Sequence, residues 1–201
     1  MLEHPLVWRG RDWRDAHWHS TASGFAELDQ LLPGNGWPLG CTIEVLSNLP
    51  GSGEVQLFKS ALHQQAQQQG WITWLTPPCL PYIPSWQAEG MRAEQHLLLR
   101  PKPDDWLWTA QQLLRSGCCT ALLAWHNKLD TQAMRKLQLA AQGQNTLFVL
   151  FRPSHQQQQS SLAPLRLKLE AQGNTLRLHV LKRPRGWPGQ IVDIPRQVPH
   201  G

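Results

Sequence analysis

The stretch CTIEVLSNLPGSGEVQLFKSALHQQAQQQ (41–69) decides the fold. Its first six residues form an apolar run of strand length, interrupted only by Thr42 and Glu44, and residues 48–53 are rich in turn formers. From residue 54 to 69 Val55, Phe58, Ala61 and Leu62 recur on one helical face. A buried strand, a glycine-bearing turn and an amphipathic helix are the first half of a βαβ unit. Working outward, the alternation continues, with strands predicted over 71–75, 96–100, 120–125 and 146–151. Helices are predicted over 26–32, 84–89, 104–116 and 130–141, and Asp104 and Asp105 sit in the first turn of the third, where carboxylates suit the helix dipole. Strands separated by helices of this length form a mostly parallel sheet covered on both faces.

Past Arg152 the pattern changes. SHQQQQSS (154–161) reads as a polar loop with nothing to bury, and LRLKLE (165–170) and TLRLHVLK (175–182) alternate apolar and polar residues around AQGN. This is an antiparallel hairpin whose wet face would carry Arg166, Lys168, Arg177 and His179 as one positive surface. The tail from 183 on is Pro-rich and basic, and reads as extended. The predicted organisation is an N-terminal docking segment (1–20), a core (21–182) that includes the hairpin 165–182, and a basic tail (183–201). There are no internal repeats.

The 201 residues suit one sizeable core, and the apolar share of 41% excludes a disordered chain. No apolar run is long enough to span a membrane, and MLEHPLVWRGRDWRD lacks the apolar centre of a secretory signal. The four cysteines, Cys41, Cys79, Cys118 and Cys119, have no zinc or disulfide-framework spacing, so a reduced cytoplasmic protein is expected, with Cys118 and Cys119 packed in the core. His17 and His19 alternate but have no third metal ligand of fitting type nearby, and no catalytic triad spacing occurs. Residues 1–150 carry 11 basic and 12 acidic residues, a net of −1, whereas 151–201 carry 8 and 2, a net of +6. That basic quarter suits a solvated face, a polyanion or a protein partner.

Of the eleven tryptophans, Trp71, Trp74, Trp106 and Trp125 lie in predicted elements and are expected in the core. Trp8, Trp13, Trp18 and Trp187 lie in terminal segments with arginines and suit docking anchors, since Trp and Arg dominate interface hot spots. The partner-binding candidates are Trp8, Arg9, Lys182, Arg183, Arg185 and Trp187. Arg152, Arg166, Lys168 and Arg177 are the nucleic-acid candidates.

The turn after the first core strand is where a mononucleotide would sit, its phosphates cradled by backbone N–H groups. Against the pattern GxxxxGK[ST], Asn48 stands at the first glycine, Gly51 lies within the spacer and Gly53 fits. Glu54 replaces the lysine and Val55 the magnesium-binding hydroxyl. At ~4 Å from a phosphate a carboxylate costs about 1–4 kcal/mol of repulsion for each charge pair, and the lysine's attraction is lost as well. Trp125 closes the strand where a metal-orienting Asp is required. No catalytic residue, cofactor or metal is expected.

STASGFAELDQLLPGNGWPLGCTIEVL (20–46) resembles the opening of the RecA-type core, and QAMRKLQLAAQGQNTLFVLF (132–151) the helix and strand ahead of RecA's second DNA-binding loop. VWRG (7–10), GWPLG (36–40), LTPPCLPYIP (75–84), LRSG (114–117) with LLAW (122–125), and LFRP (150–153) extend the resemblance over nearly the whole chain. They identify it as similar to the SulA/ImuA branch of the RecA-like superfamily, on the ImuA side. SulA proteins share 71–153 but lack the long lead-in and basic hairpin. The resemblance implies a RecA-like three-layer α/β sandwich with a mostly parallel sheet and a C-terminal antiparallel hairpin. It also implies a non-catalytic accessory role in SOS-induced, error-prone translesion DNA synthesis. The implied partners are an ImuB-type inactive Y-family polymerase and a DnaE-type polymerase, with RecA and weak DNA contact as further expectations. The alternative is a SulA-like cell-division inhibitor binding FtsZ, and a RecA-like ATPase ranks last. WLTPPCLPY (74–82) stands where RecA carries its catalytic glutamate, and 154–161 stands in for a DNA-binding loop without basic residues other than His155.

Overall fold

The computed structural model describes residues 18–48, 53–184 and 186–196. Short strands β1 (Ser20–Thr21) and β2 (Trp37–Pro38) pair antiparallel on either side of α1 (Ala26–Leu31). The glycines of GWPLG serve close packing. A Cβ at Gly36 would lie 2.5 Å from the Thr21 carbonyl oxygen and one at Gly40 2.4 Å from that of Gln144, so the fully buried Trp37 is held between two glycine-only approaches.

The main elements follow in order: β3 (Thr42–Ser47), α2 (Lys59–Ala66), β4 (Trp71–Leu75), α3 (Ile83–Ala88), β5 (His96–Leu99), α4 (Trp106–Arg115), β6 (Cys119–Trp125), α5 (Thr131–Ala141), β7 (Leu147–Pro153), β8 (Leu165–Gln172), β9 (Thr175–Lys182) and β10 (Ile191–Pro195). They build an eight-stranded sheet in the order β5-β4-β6-β7-β3-β8-β9-β10. The strands from β5 to β8 run parallel, and β9 and β10 are antiparallel additions. Alternation along the strands loads both faces. Ile43, Val45, Ile72, Leu123 and Val149 pack under α1, α2 and the preceding turn, and Leu75, Leu122, Phe148 and Leu150 pack under α4 and α5. The result is the three-layer α/β sandwich with a C-terminal antiparallel hairpin that the sequence leads one to expect.

Three local expectations change. The helix expected from residue 54 begins as a 3-10 turn over Gln56–Phe58, a tighter winding in which the adjacent Leu57 and Phe58 are both fully buried, and becomes α-helical only at Lys59. The run 154–161 is not an empty polar loop. Ser154–Gln158 forms a 3-10 turn with Gln156 buried, because it covers charges on the sheet below. Beyond residue 182 the chain returns to the sheet, where β10 pairs with β9 and buries Val192 and Ile194.

Candidate functional site

In open α/β sheets ligands bind at the carboxyl ends of the parallel strands. Here β3, β4, β6 and β7 end together in Ser47, Leu75, Trp125 and Pro153. The phosphate-loop positions lie beside these ends. Asn48 hydrogen-bonds the Ser154 hydroxyl, Gly53 takes a left-handed φ of +105°, Glu54 is only 4% exposed, and Val55 packs against the core under α2. Gly51 lies outside the described residues. The 3-10 turn separates Gly53 from the start of α2, so the first α-helical N–H groups do not directly follow the turn as a phosphate cradle requires.

Aromatic rings cover the strand ends. Trp125 stacks on Phe151 at 4.6 Å and 18°, and on Trp74 at 6.3 Å and 12°. Trp74 meets Trp86 at 5.9 Å, and its indole N–H donates to His96 Nδ1 at 3.1 Å. Burial pushes the pKa of His96 below the usual imidazole range, which keeps Nδ1 an acceptor. Phe151 continues edge-on to Phe58 at 6.0 Å, and Phe58 to Trp37 at 4.4 Å. Two small cavities flank this row. One of about 160 Å3 is walled by Trp74, Trp86, Trp125 and prolines 77, 78 and 81, with Glu54 at its lining. The other, of about 100 Å3, is lined by Ser47, Asn48, Asn127 and Arg152, again with Glu54. Both are far below the volume of a nucleoside triphosphate site.

The charges of the sheet sort into two sets. Glu44, fully buried on β3, accepts from Arg152 Nη1 at 2.8 Å and from Arg166 Nε at 2.7 Å. Arg152 Nη2 also donates to Gln156 Oε1 at 3.0 Å and to the Leu129 carbonyl at 3.3 Å, and Arg166 donates to the Gln156 and Gln157 carbonyls at 2.6 and 3.0 Å. Arg152 and Arg166, the two nucleic-acid candidates on β7 and β8, are therefore buried internal partners of Glu44 and have no free surface to offer DNA. Nearby, burial and the positive charge of Arg152 depress the pKa of His126, which packs on Trp106 at 4.5 Å.

The outer set lies on β8, β9 and β10. Arg177 makes a bidentate pair with Asp193 at 2.8 and 2.7 Å, and Glu170 takes Lys168 at 2.7 Å and His179 at 3.1 Å. The register Lys168↔His179 and Glu170↔Arg177 puts these residues on one face, as the alternation implies. That face is a mosaic of both signs and not a positive surface, because Glu170 and Asp193 fall opposite the cations. Of the partner candidates, Lys182 Nζ donates to the Ser161 carbonyl at 3.0 Å, its pKa lowered by burial and then by Arg166, and Arg183 Nη1 donates to the Leu31 carbonyl at 2.7 Å. Both are tied to the chain's own backbone. Trp187 is 84% exposed, with Ile191 beside β9 at 54%. Trp8, Arg9, Trp13, His17 and Arg185 lie outside the described residues.

Trp74 and Trp106 are core residues as expected and Trp125 is half-buried, but Trp71 is 41% exposed because it opens β4 where the register shifts. Cys119 is buried and its pKa is pushed up to about 11, mainly by burial, whereas Cys118 is exposed beside the Ser116 hydroxyl. Among the described residues no cluster of metal-ligating side chains occurs, and no helix is long and apolar enough to cross a membrane. Sequence reasoning missed Glu44. A lone carboxylate inside the apolar run TIEVL was the available signal, since a charge in a central strand requires buried partners.

No known family profile matches the chain, and no curated protein matches it. Among solved structures, SulA from Pseudomonas aeruginosa is similar at 25% identity over 56% of this chain and 97% of that chain, with a TM-score of 0.44.

Proposed function

We propose that the chain is a non-catalytic accessory protein of SOS-induced, error-prone translesion DNA synthesis, acting in the cytoplasm with an ImuB-type inactive Y-family polymerase and a DnaE-type polymerase. The motifs VWRG, GWPLG, LTPPCLPYIP and LFRP supply the biological assignment. One structural observation supports the non-catalytic part: the strand ends, where a related ATPase would hold nucleotide, carry Glu54 and the stacked Trp125, Trp74 and Phe151. Nothing in that arrangement would neutralise a triphosphate or orient a metal-bound water. Function then rests on surfaces, and Trp187 is the most exposed large apolar residue of the described chain. An exposed indole of this kind suits the buried centre of a protein interface.

The test is a side-by-side capture of purified ImuB-type protein, DnaE-type polymerase and FtsZ on the full chain. Capture of the polymerase pair without FtsZ is the expected result. Capture of FtsZ alone would replace this reading with division inhibition.

A further inference from the structure

We infer that Lys182 is an acylation site, whose side-chain amine takes an acyl group from small acyl phosphates faster than the chain's other exposed lysines do. The placement of the amine carries this. Lys182 ends β9 directly opposite Arg166 on β8, and like charges opposite each other on neighbouring strands repel. Arg166 is paired with Glu44, but Glu44 also holds Arg152. One buried carboxylate thus serves two arginines, and Lys182 adds a third cation without a carboxylate of its own among the described residues. Of the three cations only the lysine can release a proton, because a guanidinium stays charged in proteins.

The hydrogen-bond partner of the amine is the Ser161 carbonyl at 3.0 Å, a neutral acceptor that a charged, a neutral and an acylated nitrogen can all satisfy. Burial, and then Arg166, hold the pKa of Lys182 below the ordinary lysine range, with Glu44 opposing them. The residue nonetheless keeps an exposed surface by which a reagent can approach. A lysine that is partly desolvated and next to a fixed cation is an activated nucleophile. The other lysines are placed differently. Lys59 is engaged by Glu89 and Lys168 by Glu170, both at 2.7 Å, and Lys102, Lys128 and Lys136 are exposed outside the sheet. In the reaction the amine lone pair attacks the acyl carbon, the bond from that carbon to the bridging oxygen breaks, and phosphate leaves with the electron pair. The nitrogen passes its extra proton to the phosphate, so the products are an amide and inorganic phosphate. The net charge of +6 over residues 151–201 favours the approach of an anionic donor. The inference concerns one side chain and holds independently of which assembly the chain joins.

The experiment incubates the full folded chain with acetyl phosphate and follows acetyl occupancy at each lysine over time by peptide mass spectrometry, with Lys102, Lys128 and Lys136 as references. Lys182 is expected to acquire the group at least about threefold faster than those three. In the urea-unfolded chain, where Arg166 no longer faces the amine, the excess should vanish. Arg166→Met, which leaves Glu44 paired with Arg152 alone, should bring Lys182 toward the reference rate. If that variant fails to fold, the comparison of folded with unfolded chain carries the test. Reaction at Lys182 no faster than at the references, an excess that survives unfolding, or an excess unchanged in folded Arg166→Met would overturn the inference.

Discussion

The seam β7-β3-β8 and the outer strands β9 and β10 carry the same kinds of charged residue on the same face of one sheet, and the consequences differ. On the seam, Arg152, Glu44 and Arg166 lie under the 3-10 turn Ser154–Gln158 and are sealed from water. Toward the outer edge Arg177, His179 and Asp193 on β9 and β10, with Lys168 and Glu170 at the far end of β8, pair with one another while staying partly exposed to water. Removing one partner from a buried ion pair leaves an uncompensated charge, whereas an exposed pair is screened by solvent. Residue type and strand alternation therefore do not distinguish a structural charge from a surface charge. What lies over the sheet does.

The largest expected effect breaks the seam. Glu44→Ala leaves two buried guanidinium groups facing each other and should cost about 3–5 kcal/mol in urea unfolding. The sharper variant replaces all three charges, Glu44→Leu with Arg152→Met and Arg166→Met. It should recover most of that loss, because the desolvation cost of the ions disappears with them. A triple variant as unstable as Glu44→Ala would show that the triad does more than satisfy itself.

Next comes Trp187→Ala, which sharpens the comparison by asking what the outer region does. With 84% of the residue exposed, the substitution should leave the melting temperature unchanged. It should weaken partner binding by about 2 kcal/mol, roughly 30-fold in Kd. A protein contact anchored this way should depend little on salt, whereas a phosphate contact would weaken by about one log-log slope unit per phosphate neutralised.

A smaller effect separates the regions by pH. His126, next to Arg152, and His96, accepting from Trp74, both have folded pKa values below the ordinary 6.5, so the unfolded chain binds more protons as pH falls. Their contribution is intact above the unfolded pKa and is lost as pH falls toward the folded values. Thermal stability should decline from pH 7 to pH 5, and His126→Gln should flatten the decline. Over that range the outer carboxylates stay ionised, since Arg177 holds Asp193, and Lys168 with His179 holds Glu170, below their ordinary values. The smallest effect is Arg177→Ala, whose solvent-exposed pair with Asp193 should leave urea unfolding unchanged within error.

Periodicity made the layers legible. The strands around Trp71–Leu75 and Cys119–Trp125 and the helix Thr131–Ala141, with Asp130 accepting from the Ala133 N–H as its cap, lie within a residue of their expected bounds. Glu54, Val55 and Trp125 are legible as departures from the phosphate-loop pattern, because motif positions are local. What escaped depends on long-range packing. The glutamines of 154–161 look like a solvated run until Gln156 is seen holding both arginines, and β10 is too short and too Pro-flanked to announce a strand before β9 offers it an edge. Glu44 escaped for the same reason, since its partners lie 108 and 122 residues away in sequence.

The strand ends are proposed to serve contact and not nucleotide chemistry. Titrating the full chain with magnesium-ATP, while following bound nucleotide and released phosphate, tests it most directly. Neither binding in the micromolar range nor turnover is expected. Micromolar binding with steady phosphate release, lost on Gly53→Ala, would contradict it.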